Sequence, residues 1–286
     1  MKILYTLVIG SLLISACQQK PKEQKIHSPL NYSLTGQGTR TLVFVHGWCI
    51  NGSYWDRQVE SFKNTYKVLT LDLAGHGKSK VDRKEWTIAN YANDVVDLIR
   101  QLKLDSVILI GHSMSGNINL LVYDKIPEKA IGFIGIDNLQ ELGKEQSDSA
   151  KAQSEGFIKM LETNFSATAH QFAYFLFSPT TDSTVRYRVM NDIMTMDTVM
   201  AAATLRSLFE ESLNEAVYSK KLKIPLILIN SDVHPVDEDL LTKNAGSGFK
   251  IFYIHGTGHY PMIEAPDEFN ARLQEALDFI RNSVKK

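Results

Sequence analysis

The sequence predicts an α/β fold on a mainly parallel, doubly wound sheet, and three observations carry that expectation. Short apolar runs alternate with amphipathic stretches from residue 29 onward, the pattern of strands joined through crossover helices. Most runs are continuous rather than alternating, as strands covered on both faces require. One run passes directly into a helix through a serine set among small residues, and such a turn exposes its hydroxyl at the sheet edge.

Each element follows in order. Residues 31–34 read as the first arm of a hairpin turning at Gly36 and Gly38 into the run 41–45. Further strands are expected at 66–71, 106–110, 131–136, 226–229 and 249–254. Helices are expected at 54–62, 116–126, 269–284 and 88–102, the last with Tyr91, Val95, Leu98, Ile99 and Leu102 on one stripe. From about 140 to 222 the strand signal stops and only helix-compatible sequence remains, which predicts a helical cap inserted over the sheet rather than a separate domain. The cap is rich in aromatic and thioether side chains, among them Phe157, Phe165, Phe172, Phe177, Met194 and Met200. Most serve to pack the cap, and together they suit an apolar acyl or aromatic pocket.

Composition excludes several function classes. With 31 Lys and Arg against 32 Asp and Glu, the 286-residue chain has a net charge of −1 and no basic footprint for nucleic acid. Two cysteines cannot build a disulfide scaffold or a four-thiolate metal site. No His, Cys and carboxylate cluster has metal-ligand spacing, and no glycine-rich phosphate loop follows the first strand, so no metal, nucleotide or other cofactor is expected.

The N-terminus reads as an address rather than as part of the domain. Lys2 precedes an apolar run from Ile3 to Ile14, followed by Ser15, Ala16 and Cys17. About a dozen apolar residues is signal-peptide length, short of the roughly 20 that span a bilayer. The end of the run resembles the lipobox of bacterial lipoproteins, in which cleavage leaves the cysteine N-terminal and lipid-modified. The expected organisation is a signal peptide at 1–16, a polar tether at 17–28 beginning at lipidated Cys17, and one domain at 29–286 held to a bacterial membrane in the cell envelope. Cys49 is then the sole remaining thiol, beside no basic partner, and reads as a small buried hydrophobe.

The chemistry gathers at the ends of the predicted strands. Gly111-His112-Ser113-Met114-Ser115-Gly116 forms a nucleophile elbow with Ser113 as nucleophile, although Ser115 stands where a strict Gly-x-Ser-x-Gly motif has glycine. Phe44-Val45-His46-Gly47-Trp48 ends an earlier strand, and its position assigns the backbone N–H of Trp48, with that of Met114, to the oxyanion hole. His259 follows the last strand on a loop where a base can reach the serine, whereas His46, His76, His112 and His255 read as structural. Asp72 reads as a turn former.

Four motifs in register make the chain similar to the α/β-hydrolase superfamily over nearly its whole length. They are His46-Gly47-Trp48, the turn Asp72 to Ser79, the elbow at Ser113, and Gly258-His259 with Glu264 and Pro266. The resemblance implies a sheet of about eight strands, a helical cap between the sixth and seventh, and a Ser-acid-His triad. The acid departs from the family pattern. Ser231-Asp232-Val233-His234-Pro235 puts a histidine where the family usually has its aspartate, and a histidine cannot supply the carboxylate that fixes the base's tautomer. Asp137, ending the strand beside the nucleophile strand, is the preferred acid, and Asp232 is the alternative.

These readings converge on an exported, lipid-anchored serine esterase for small to medium apolar esters or related acyl compounds. Two other readings stand beside it: a hydrolase scaffold kept for ligand binding, and a cofactor-free perhydrolase or haloperoxidase on the same triad. The oligomeric state has no readable signal.

Overall fold

The computed structural model describes residues 28–283; the expected signal peptide and nearly all of the tether, Cys17 included, lie outside the described residues. In chain order the strands are β1 Tyr32–Gly36, β2 Thr41–Val45, β3 Lys67–Leu71, β4 Val107–His112, β5 Ala130–Ile136, β6 Leu226–Ser231 and β7 Phe249–Ile254. The helices are α1 Asp56–Phe62, α2 Ile88–Gln101, α3 Ser115–Lys125, α4 Asp148–Thr163, α5 Phe165–Phe175, α6 Ser183–Met194, α7 Thr198–Ser212, α8 Glu215–Ser219, α9 Glu238–Asn244, α10 Pro261–Glu264 and α11 Pro266–Ser283.

The sheet has seven strands among the described residues, against about eight expected, in the order β1-β3-β2-β4-β5-β6-β7. All pairs are parallel except β1 with β3. This corrects the predicted leading hairpin, because β3 lies between β1 and β2. The reason is burial. Every residue of β2 is buried and needs a neighbour on each side, whereas β1 is mostly exposed and suits the edge. Gly36 and Gly38 do not fold back on β2. They pass against the backbone at 63–66 so closely that an added Cβ would lie 2.3 Å from the Tyr66 carbonyl oxygen and 2.6 Å from that of Thr65.

The helices follow local chemistry. The Thr87 side chain caps α2 by accepting from Asn90 N–H at 3.1 Å, and Tyr91, Val95, Leu98 and Ile99 of the predicted stripe are buried. By contrast, α3 is buried from Ser115 to Tyr123 with no polar face, as expected of a helix enclosed on all sides. Helices α4 to α8 fill the interval where the helical insertion is expected, and α9 is a short helix that the apolar periodicity did not reveal. Asp72 ties three segments together: its carboxylate accepts from Gly52 N–H, Lys78 N–H and Asn31 Nδ2, each at 2.8 Å, and its carbonyl accepts from Ser79 Oγ at 2.7 Å.

Register decides where the chemistry collects. Val45 pairs with Gly111, His112 with Ile136, and Ile136 with Ile229, while Ser231 pairs with Ile254. The loops after β2, β4, β5, β6 and β7 therefore open at one carboxyl edge of the sheet.

Candidate active site

The elbow forms because the chain must reverse from β4 into α3 without a spacer. Ser113 takes it up with a left-handed φ of 53°, costing on the order of 1 kcal/mol. Its N–H continues the sheet by donating to the Ile136 carbonyl at 2.9 Å. The smallness the turn demands falls at two glycines. A Cβ at Gly111 would lie 2.4 Å from the Ser115 carbonyl oxygen, and one at Gly116 would lie 2.8 Å from Asn138 Cγ. Ser115, in the motif's usual glycine position, is fully buried, and its hydroxyl donates to the His46 carbonyl at 2.5 Å. The departure at 115 thus ties the elbow to the strand that leads to Trp48.

His259 lies on the loop between β7 and α10, and its Nδ1–H donates to Asp137 Oδ2 at 2.5 Å. That bond leaves Nε2 as the basic nitrogen of the neutral ring. The other oxygen of Asp137 accepts from both the N–H and the hydroxyl of Ser231, each at 2.8 Å. Burial works to raise the Asp137 carboxyl, but the bonds from His259 and Ser231 outweigh it and hold the group below the usual carboxylate range. The structure thus places Asp137, not Asp232, on His259. Asp232 instead meets the exposed His255 at 2.9 Å.

Asp137 and Leu139 both have left-handed backbones, with φ of 47° and 54°. A buried network holds that loop. Asn138 Nδ2 donates to the carbonyls of Gly111 at 2.8 Å and Ser113 at 3.1 Å, and Asn230 Nδ2 donates to the Asn138 carbonyl at 3.0 Å. Sequence reading missed Asn138, Asn230 and Ser231. Their side chains act across 25 to 94 residues of chain, and no local spacing signals that.

Neither the Trp48 nor the Met114 N–H donates to a backbone acceptor among the described residues, so both are free to serve a ligand oxygen. The Trp48 indole is buried beneath the cap, its Nε1–H donating to the Ala201 carbonyl at 2.9 Å and its ring lying 5.8 Å from Phe172 and 6.3 Å from Phe165. Phe165, Phe177 and Met200 are buried, whereas Met160, Tyr174 and Phe175 are exposed. Two surface clefts, one bordered by Arg83, Glu85 and Asp94 and the other by Asn31, Ser53 and Asp72, contain none of these residues.

Three histidines around the site are buried and neutral. His46 Nε2 accepts from Leu73 N–H at 2.9 Å, and burial lowers the group to about 4. Burial likewise lowers His76 and His112, each to about 3. Cys49, beside Trp48, is buried with a left-handed φ of 57°, and burial pushes its thiol well up; it is not set up as a thiolate nucleophile.

A family model described as the alpha/beta hydrolase fold matches residues 40–244. A karrikin insensitive 2 receptor of Petunia hybrida is 23% identical over 248 residues, 83% of this chain and 91% of that protein. A strigolactone esterase of Arabidopsis thaliana is 23% identical over 264 residues, 89% of this chain and 98% of that protein. Among solved structures, a thermophilic esterase from Thermogutta terrifontis aligns with a TM-score of 0.74 at 20% identity, covering 88% of this chain and 93% of that one. At such identity the likeness is one of fold.

Proposed function

As this chain belongs to the alpha/beta hydrolase fold family, we propose that it is an exported serine hydrolase cleaving carboxylic esters, or related acyl compounds, of small to medium apolar molecules. The observation that carries this reading is the fully buried Asp137 bonded to His259 at the same sheet edge as the strained Ser113. In the proposed reaction His259 Nε2 takes the Ser113 proton as Oγ attacks the substrate carbonyl. The Trp48 and Met114 N–H groups hold the oxyanion, His259 returns the proton to the leaving alcohol, and water releases the acyl group by the same steps. Asp137 keeps the base in the right tautomer and stabilises its charged form. In this proposal the Ser113–His259 hydrogen bond tightens as substrate binds.

Fluorophosphonate labelling of the protein tests the reading. The expected result is a single adduct that mass spectrometry locates on Ser113 and that Ser113→Ala abolishes. A folded protein that takes no adduct would favour the other reading, a ligand-binding scaffold, to which the match with a protein named as a receptor lends support.

The same proposal places the chain in a bacterial cell envelope, held by lipid on Cys17. Metabolic labelling with a radioactive fatty acid is expected to mark the wild type and not Cys17→Ala. Equal labelling of both would remove the anchor from the proposal.

A further inference from the structure

The backbone around His259 is held by contacts that none of these catalytic roles uses. Three successive N–H groups are all taken. Gly258 donates to Glu264 Oε2 at 2.9 Å, His259 to the Leu176 carbonyl at 2.7 Å, and Tyr260 to Glu264 Oε1 at 2.9 Å. The His259 carbonyl accepts from His112 Nε2–H at 2.7 Å.

Half of this clamp belongs to the cap. Thr181, between α5 and α6, donates its hydroxyl to Glu264 Oε2 at 2.5 Å while accepting from Ser178 N–H at 2.9 Å. Thr180 Oγ1 donates to the Gly256 carbonyl at 2.9 Å. The two segments lie so close that a Cβ on Gly258 would stand 2.6 Å from the Leu176 carbonyl oxygen and 2.7 Å from Ser178 N. Arg186 closes the cap segment on itself, donating to the carbonyls of Ser178 at 2.5 Å and Thr181 at 2.9 Å.

Asp137 holds one nitrogen of the imidazole, but the reach of the other also depends on where the backbone sets the ring. A misplacement of about 1 Å costs roughly 100-fold in rate. We propose that Glu264, bonded to Thr181 of the cap, is a positioning residue for His259, so that the register of the base depends on the seating of the cap segment 176–182. This inference rests on the hydrolase reading above.

The test uses the full chain, with p-nitrophenyl acetate turnover and the rate of fluorophosphonate labelling at Ser113 as readouts. In Glu264→Gln one oxygen becomes an NH2 facing a backbone N–H, and kcat and the labelling rate are expected to fall roughly 30- to 100-fold with KM within about two-fold. Thr181→Val should lose about 10-fold in both, and Thr181→Ser, which keeps the hydroxyl, should restore both to within about two-fold. Amide exchange at residues 256–260 should quicken in the two impaired variants only. Folded variants with wild-type kcat and labelling, or a Thr181→Ser as impaired as Thr181→Val, overturn the proposal. If Glu264→Gln does not fold, the Thr181 pair decides. A wild type that takes no label on Ser113 overturns the hydrolase reading and this inference with it, whereas a labelled wild type with unaffected variants overturns this inference alone.

Discussion

Replacing Asp137 with asparagine is expected to lower kcat for ester hydrolysis about 10⁴-fold while leaving the protein folded. Asparagine fills the same space and its oxygen can still accept from Ser231, so the loop after β5 survives. Its amide NH2, however, faces His259 Nδ1 and forces the proton onto Nε2, where it blocks the transfer from Ser113. The charge that stabilises the imidazolium goes as well. Asp232→Asn is expected to change kcat by less than about three-fold, because that carboxylate meets an exposed histidine in water and exposed pairs contribute little. Steady-state kinetics of the two variants against wild type make the comparison. The opposite ranking would transfer the acid's role to the loop after β6 and would require the two loops to exchange places in the working enzyme.

Acid is expected to destabilise the protein well above the range in which carboxylates titrate. His46, His76 and His112 are held neutral by burial, at about 4, 3 and 3, against an unfolded value of about 6.5. Below that value the unfolded chain binds protons that the folded one refuses, so stability falls as pH falls and is unaffected above about pH 7. From pH 7 to 5.5 the three together cost about 4 kcal/mol. Glu215 acts the other way. Desolvation raises it to about 7, so its folded form takes a proton early and returns about 2 kcal/mol over the same interval. The depressed Asp137 carboxyl adds little there, since its contribution is lost only as pH falls through its lowered value. The net expectation is a loss of about 2 kcal/mol between pH 7 and 5.5, read by urea denaturation, steepening to about 4 kcal/mol in Glu215→Gln. A flat profile in both proteins would mean that the three rings are not neutral in the fold.

Much of the fold was legible because its signals are local. A strand covered on both faces has to be a continuous apolar run, so β2, β4, β5 and β6 could be read directly from residues 41–45, 106–110, 131–136 and 226–229. A helix with one buried stripe shows its period, so α2 was equally plain. β1 was legible as a strand but not in its partner, because Gly36 and Gly38 mark a turn without saying where the chain goes next. α9 is short and carries only one buried apolar side chain, Leu241, too little for any period to emerge.

For the candidate site, the sequence by itself determined the residue types and their order: a small-flanked Ser113 between strand and helix, His259 after the last strand, and Trp48 and Met114 by position. It preferred Asp137 to Asp232 as the acid, because Asp137 ends the run beside the nucleophile strand, but left Asp232 open, since both follow apolar runs. The tertiary structure adds the contacts: Asp137 bonds His259 and meets two donors from Ser231, while Asp232 turns to the solvent beside His255. The same holds for Ser115, whose hydroxyl finds the His46 carbonyl 69 residues away, and for Glu264, which finds a cap hydroxyl 83 residues away. Apolar periodicity and turn chemistry are written in neighbouring residues. The partner of a buried polar group is set by strand register and cap docking, and those exist only once the chain has folded.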